Sequence, residues 1–216
     1  MTFTLTALRT DVAAALRDAS NAAWTTAQLD LAIGQARAEY EEFSPRQQQA
    51  TLTGISSRTI DLSAATPGGL GAAAYAALVR VVAVEYPTGQ WPPAYVRWDQ
   101  FAANLVMHTD AVPSAASVLV SFDTLHTLDG SGGTIPDEHR QLLLAGSVYY
   151  ALQQYRREAA TSVTTQAQLS MQLDGIAAAY RDTWTAGLKR LRRLRATQLY
   201  RPSDASLQRD VVQFPE

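Results

Sequence analysis

Between residues 50 and 134 the chain abandons the helical period that governs its two ends, and that change of texture limits the folds open to it. Short β-branched segments, Thr51–Ile55, Arg58–Leu62, Leu78–Tyr86, Ala94–Trp98 and Ser117–His126, alternate there with turn residues. Pro67-Gly68-Gly69, Pro87-Thr88-Gly89, Pro92-Pro93 and Gly130-Ser131-Gly132-Gly133 punctuate them. This pattern predicts four to six strands, with Gly69 to Ala77 read either as a loop or as a short helical turn. The expected architecture is α+β, mainly α. About four helices form a core from residues 1–49 and 134–199, a β-rich insertion occupies 50–133, and an extended C-terminal tail follows at 200–216.

The flanking segments carry helix signals of their own. Residues 6–19 place Leu8, Val12, Ala15, Leu16 and Ala19 on one side. Thr25, with Gln28 three residues on, predicts a capped start to a second helix, and Trp24 is placed to pack on Leu29 across that cap. Its apolar positions Leu29, Ala32, Ile33, Ala36, Tyr40 and Phe43 keep the period until Ser44-Pro45, where the residue before proline avoids the helical region. Pro136 opens a third helix, with Asp137 and Glu138 favoured at its positive end. Gly146 within that helix predicts a close crossing of another helix. A last long helix from Gln166 to Leu199 carries Leu169, Leu173, Ile176, Tyr180, Trp184, Leu191 and Leu194 as its apolar side.

Charge separates the C-terminal end from the rest. Residues 181–201 hold seven basic groups and one acid, +6, against 11 basic and 19 acidic groups elsewhere, −8, which together make the net −2. Such an end is read either as a solvated helix terminus complementing the dipole or as a docking surface for an acidic partner. The cations of the last turns (Lys189, Arg190, Arg192, Arg193, Arg195) spread around the helix instead of forming one row, which argues against sequence-specific DNA reading. With no cysteine there are no disulfides, thiolate metal sites or cysteine nucleophiles. The apolar run Ala76–Val84 is broken by Arg80 and too short to span a bilayer.

Candidate chemistry is sparse, and no enzyme, cofactor or metal site is expected. His108, His126 and His139 lack metal-ligand spacing. His139 reads as an exposed polar turn, and His126 with Asp123 as surface decoration. Glu41-Glu42 reads as a solvated face, since adjacent helical positions diverge. The Gly130–Thr134 run lacks a phosphate-binding ending and reads as a flexible connection. The most distinctive local segment is Trp91-Pro92-Pro93-Ala94-Tyr95-Val96-Arg97-Trp98. Its rings Trp91, Tyr95 and Trp98 either cover an edge of the β-rich module, form a subunit or tail-facing contact, or stack on a carbohydrate or peptide.

The order of these parts resembles the head–tail connector proteins of tailed bacteriophages, the adaptors or head-completion proteins. The likeness rests on Trp24-Thr25-Thr26-Ala27-Gln28-Leu29, Ala36-Arg37-Ala38-Glu39-Tyr40 with Ser44-Pro45, and Val81-Val82-Ala83-Val84-Glu85-Tyr86-Pro87. It resumes at Ile135-Pro136-Asp137-Glu138-His139-Arg140-Gln141-Leu142-Leu143-Leu144 and the following Ala145 to Leu152. The resemblance implies a non-enzymatic structural protein of the virion neck. Copies of it, typically twelve, form a ring under the portal protein that extends the DNA channel and meets a stopper or tail-completion protein. DNA then passes through without specific contact, and no membrane is involved. Carried onto this chain, the portal-docking residues are Arg190, Arg192, Arg193, Arg195, Tyr200, Arg201 and Phe214. The alternatives are a tail-completion or terminator protein, and a carbohydrate- or peptide-binding module centred on Trp91–Trp98.

Overall fold

A computed structural model describes residues 3–18, 20, 23–161 and 167–199, with side chains described except at 158–161, 167–172 and 193–199. Two compact units divide the chain: Met1–Ala7 with Pro45–Asp137, and Leu8–Ser44 with Glu138–Glu216. The expectation of a mainly α chain is corrected. The fold is α+β with 44% helix and 25% strand, built as five helices and two three-stranded antiparallel sheets among the described residues. The expected count of about four helices is close. The fifth is the short α3, Ala72–Ala76, at the site read as loop or helical turn. The expected extended tail lies outside the described residues.

In the first unit, β1 (Arg46–Ile55), β6 (Ala116–Thr124) and β3 (Leu78–Glu85) form one sheet in the order β1-β6-β3. The second sheet orders β2 (Thr59–Asp61), β5 (Asn104–His108) and β4 (Arg97–Phe101) as β2-β5-β4. Alternation along these strands turns Leu52, Ile60, Val84, Leu105, Met107, Val118 and Val120 into one shared core. Backbone bonds from Tyr86 N to Ala94 O and from Val96 N to Val84 O tie the approach to β4 onto β3. The same polypeptide thus serves both sheets.

Strand content exceeds the sequence reading at two places. β1 begins at Arg46 instead of Thr51, because Arg46 to Ala50 are held by pairing with Thr124 to Val120 and not by their own β propensity. β5 went unpredicted; Asn104–His108 forms because it lies between β2 and β4 and buries Leu105 and Met107. The expected strand at Ala94–Trp98 is shifted to Arg97–Phe101, preceded by a single Glu85–Tyr95 bridge.

The helical unit confirms the strongest local signal. α2 (Thr26–Phe43) starts with a complete capping box, in which Thr25 Oγ1 accepts from Gln28 N at 3.3 Å and Gln28 Oε1 accepts from Thr25 N at 2.8 Å. α1 (Leu5–Ala15) stops short of the expected residue 19. Arg17 takes φ 57°, its N–H donates to Ala14 O, and Asp18 N–H donates to Ala13 O, the paired bonds of a Schellman ending. An arginine in the left-handed region carries no glycine signal, so this stop was invisible in the sequence. The Asp18 carboxylate then accepts from Ala23 N and Trp24 N, both at 2.9 Å, and so sets the entry to α2.

A single 3₁₀ turn, Asp137–His139, leads into α4 (Arg140–Thr161), and α5 (Ala167–Leu199) follows. α5 packs on α4 through glycines on both sides. A methyl group on Gly146 would lie 2.8 Å from the Trp184 ring, and one on Gly187 would overlap Leu142. The close crossing expected at Gly146 is therefore present. The apolar side of α5 is rotated from the expected one: Ala177, Trp184 and Leu188 are buried, whereas Ile176 is 48% exposed.

Candidate functional site

Three helices of the second unit converge on one carboxylate. Glu39 Oε2 on α2 accepts from Tyr150 Oη on α4 at 2.7 Å and from Trp184 Nε1 on α5 at 2.6 Å. Burial first, then the Glu39 carboxylate, pushes the Tyr150 pKa well up, so the phenol stays an O–H donor. Ion pairs add cross-links. Arg9 grips Asp30 with Nε and Nη2 at 2.8 and 2.9 Å, Arg140 Nε reaches Asp11 at 2.8 Å, and Arg156 pairs Asp174 at 2.9 Å. These contacts cross-link the helices of the unit, and none of these groups presents a nucleophile with its base.

Several polar residues read as surface features sit elsewhere. Glu41 is only 8% exposed and pairs with Arg37 at 3.6 Å, so it is not part of a solvated face. His126 and Asp123 are both buried; His126 Nδ1 contacts Thr134 Oγ1 at 3.1 Å, while Asp123 receives Arg80 Nε at 2.8 Å. The loop at Gly130–Thr134 is a tied turn instead of a flexible connection. Asp129 Oδ1 accepts from Ser131 N, Ser131 Oγ and Gly132 N, and a Leu128–Gly133 bridge closes it. Those bonds, the Ser131 hydroxyl foremost, hold the Asp129 carboxyl below its usual range.

His139 is likewise no exposed turn residue. Its Nδ1 lies 2.6 Å from Tyr40 Oη, and burial lowers its pKa against a smaller opposing pull from Glu138. Burial raises the Tyr40 pKa, so the phenol donates and the neutral imidazole accepts. A histidine whose folded pKa is depressed binds its proton more weakly folded than unfolded. Stability therefore rises with pH across the window between the two values, and is lost as pH falls from the ordinary histidine value of 6.5 through the folded one. Urea midpoints for the wild type are expected to fall between pH 7.5 and pH 5.5, and to fall less for His139→Gln. Equal pH dependence in the two proteins would contradict this assignment.

The predicted docking residues are placed as follows. Arg190 and Arg192 are exposed at the end of α5 beside exposed Lys189, and none of the three has an ion-pair partner among the described residues. Arg193 and Arg195 belong to α5, with side chains outside the described set. Tyr200, Arg201 and Phe214 lie outside the described residues. Of the aromatic segment, Trp91 is 92% exposed and Tyr95 42% exposed. Trp98 differs from them, since it is half-buried and packed against the core of the sheets. The three rings are therefore not equivalent surface contacts. Among the described residues no cluster of three His, Asp or Glu side chains converges to hold a metal, and no helix is long and apolar enough to cross a membrane.

No protein-family model matches the chain, and no curated protein is significantly similar to it.

Proposed function

We propose that the chain is a structural adaptor of a tailed-bacteriophage neck, which joins a ring of its own copies to the portal protein and on the other side meets a stopper or tail-completion protein. The observation that carries this reading is that Arg190 and Arg192, in the C-terminal half of α5, are exposed and have no ion-pair partner among the described residues, and that a polar stretch of 17 residues, 200–216, follows them in the sequence. Arg190 and Arg192 there offer planar donors for carboxylates on a partner. Ordering a polar C-terminal segment along a partner groove costs entropy, which burial of Phe214 and arginine contacts offsets. A ring of copies strengthens weak single contacts through effective concentration. The cross-linked helical unit behind α5 is the rigid support such a docking element requires.

Deletion of residues 200–216 is expected to abolish capture by an assembled portal ring and to leave circular dichroism and thermal melting unchanged. Arg190→Glu with Arg192→Glu in the full chain is expected to weaken capture by about tenfold or more, with a steep salt dependence in the wild type. Undiminished portal capture by the truncated chain would refute the docking role. Capture by tail tube in place of portal would move the chain to the tail-completion class.

A further inference from the structure

The outermost strand of a sheet leaves a row of backbone groups without a neighbour, and proteins cover, shorten or charge such edges to prevent stray pairing. Most edges of the two sheets here are managed in those ways. The outer side of β3 is bridged by backbone bonds to Ala94 and Val96, β2 is only 3 residues long, and β4 carries Arg97 and Asp99. β1 differs. It is 10 residues long, lies at the end of its sheet, and holds no charge and no proline from Gln47 to Ile55. Its break in register lies beyond Leu52.

The register decides which groups of β1 face outward. Leu125 N donates to Ala77 O on the β3 side of β6, so alternation turns Thr124, Phe122 and Val120 toward β1. Their partners Arg46, Gln48 and Ala50 form the hydrogen-bonded pairs, and Gln47, Gln49 and Thr51 present N–H and C=O away from β6. Thr53 continues the alternation, and its N–H leaves the sheet for Pro67 O at 2.9 Å. The outward groups of Gln47, Gln49 and Thr51 have no backbone partner among the described residues, and all three side chains are exposed.

We propose that this edge pairs with the same edge of a second copy of the chain, β1 against β1 in antiparallel order, with Gln49 on the two-fold axis. Outward-facing residues must meet outward-facing residues. With Gln49 opposite itself, Gln47 falls opposite Thr51 of the second copy, which meets that condition. Arg46, the only charge on the strand, falls opposite Leu52, so no like charges face each other. Amides and hydroxyls both donate and accept, which makes the edge complementary to itself as an isologous contact requires. The pairing joins two three-stranded sheets into one. Such a contact closes on two copies and its test needs no portal, so it stands or falls apart from the docking reading.

Sedimentation of the intact chain over a range of concentrations tests it, and a monomer–dimer equilibrium is expected. Gln49→Pro removes an outward N–H and leaves the β1–β6 ladder intact. It is expected to weaken the dimer about tenfold or more, through loss of the symmetry-related bonds at that position. Because the chain has no cysteine, an introduced disulfide reads the register directly. Opposed Cα atoms of a hydrogen-bonded pair lie about 5.5 Å apart, within disulfide reach. Gln49→Cys is therefore expected to cross-link two copies on oxidation. Gln47→Cys, which lies opposite Thr51 and not itself, is expected to stay uncross-linked. A chain that remains monomeric as its concentration is raised, a dimer indifferent to Gln49→Pro, or equal cross-linking of the two cysteine variants would overturn the assignment.

Discussion

Trp184→Ala is expected to destabilise the helical unit by about 3–5 kcal/mol, the usual cost of truncating a buried tryptophan. The ring is only 1% exposed, lies against Gly146 and donates its Nε1 hydrogen to Glu39. Two companion variants separate the contributions. Trp184→Phe retains most of the packing and removes the donor, at a cost of about 1–2 kcal/mol, since Glu39 keeps the Tyr150 hydroxyl. Gly146→Ala gains about 1 kcal/mol of helix propensity. It also forces a methyl group into a ring 2.8 Å away. Because Trp184 is buried, it has little room to withdraw, and a net loss of about 1–3 kcal/mol is expected. Urea midpoints at constant slope measure all three. A stabilised Gly146→Ala protein would show that α4 and α5 are not in the close approach described here.

The second large effect lies in the sheets. Asp123 is fully buried on β6, the central strand of its sheet, and Arg80 on β3 reaches it at 2.8 Å across the register that pairs the two residues. Arg80→Met removes the Arg80 guanidinium from that carboxylate. Removing one member of a buried pair costs about 3–5 kcal/mol. The Arg80 side chain is half exposed, and solvent screening brings the expected loss nearer to about 2 kcal/mol. Adding Asp123→Leu to Arg80→Met should recover part of the loss, because the buried charge that faced Arg80 disappears with the residue. A double-mutant cycle followed by thermal melting isolates that coupling. Strict additivity of the two substitutions would mean the pair does not hold β3 to β6.

How far these features were legible in the sequence follows from the range of the forces behind them. The capping box at Thr25 and Gln28, the end of α2 before Pro45 and the close crossing at Gly146 each depend on a residue type with a local conformational meaning. The end of α1 depended on Arg17 adopting the left-handed region, which only its neighbours' hydrogen bonds enforce. Periodicity placed Trp184 on the buried side of α5. It could not distinguish Ile176, which is exposed, from Leu188, which is buried, because both lie within one helical turn of a stripe whose exact bearing the α4 contact sets.

The candidate sites divide in the same way. The cations near the C-terminal end of α5 are evident from composition alone, whereas the exposure of Trp91 was not, since its segment read equally as a cover for an edge of the β-rich module. The contact of His108 with Asp99 was not evident either, since it needs the two brought together by a hairpin that includes the unpredicted β5.

By itself the sequence determined where helices begin, where the β-rich stretch lies and which end carries the charge, because propensity, capping and charge count act over a few neighbouring residues. Tertiary structure alone decided which polar groups are buried and with what. Tyr40 meets His139, Glu39 meets Trp184 and Arg80 meets Asp123 across separations of 99, 145 and 43 residues. Desolvation and pairing at such distances depend on how whole elements pack, and no local window of the chain contains that information.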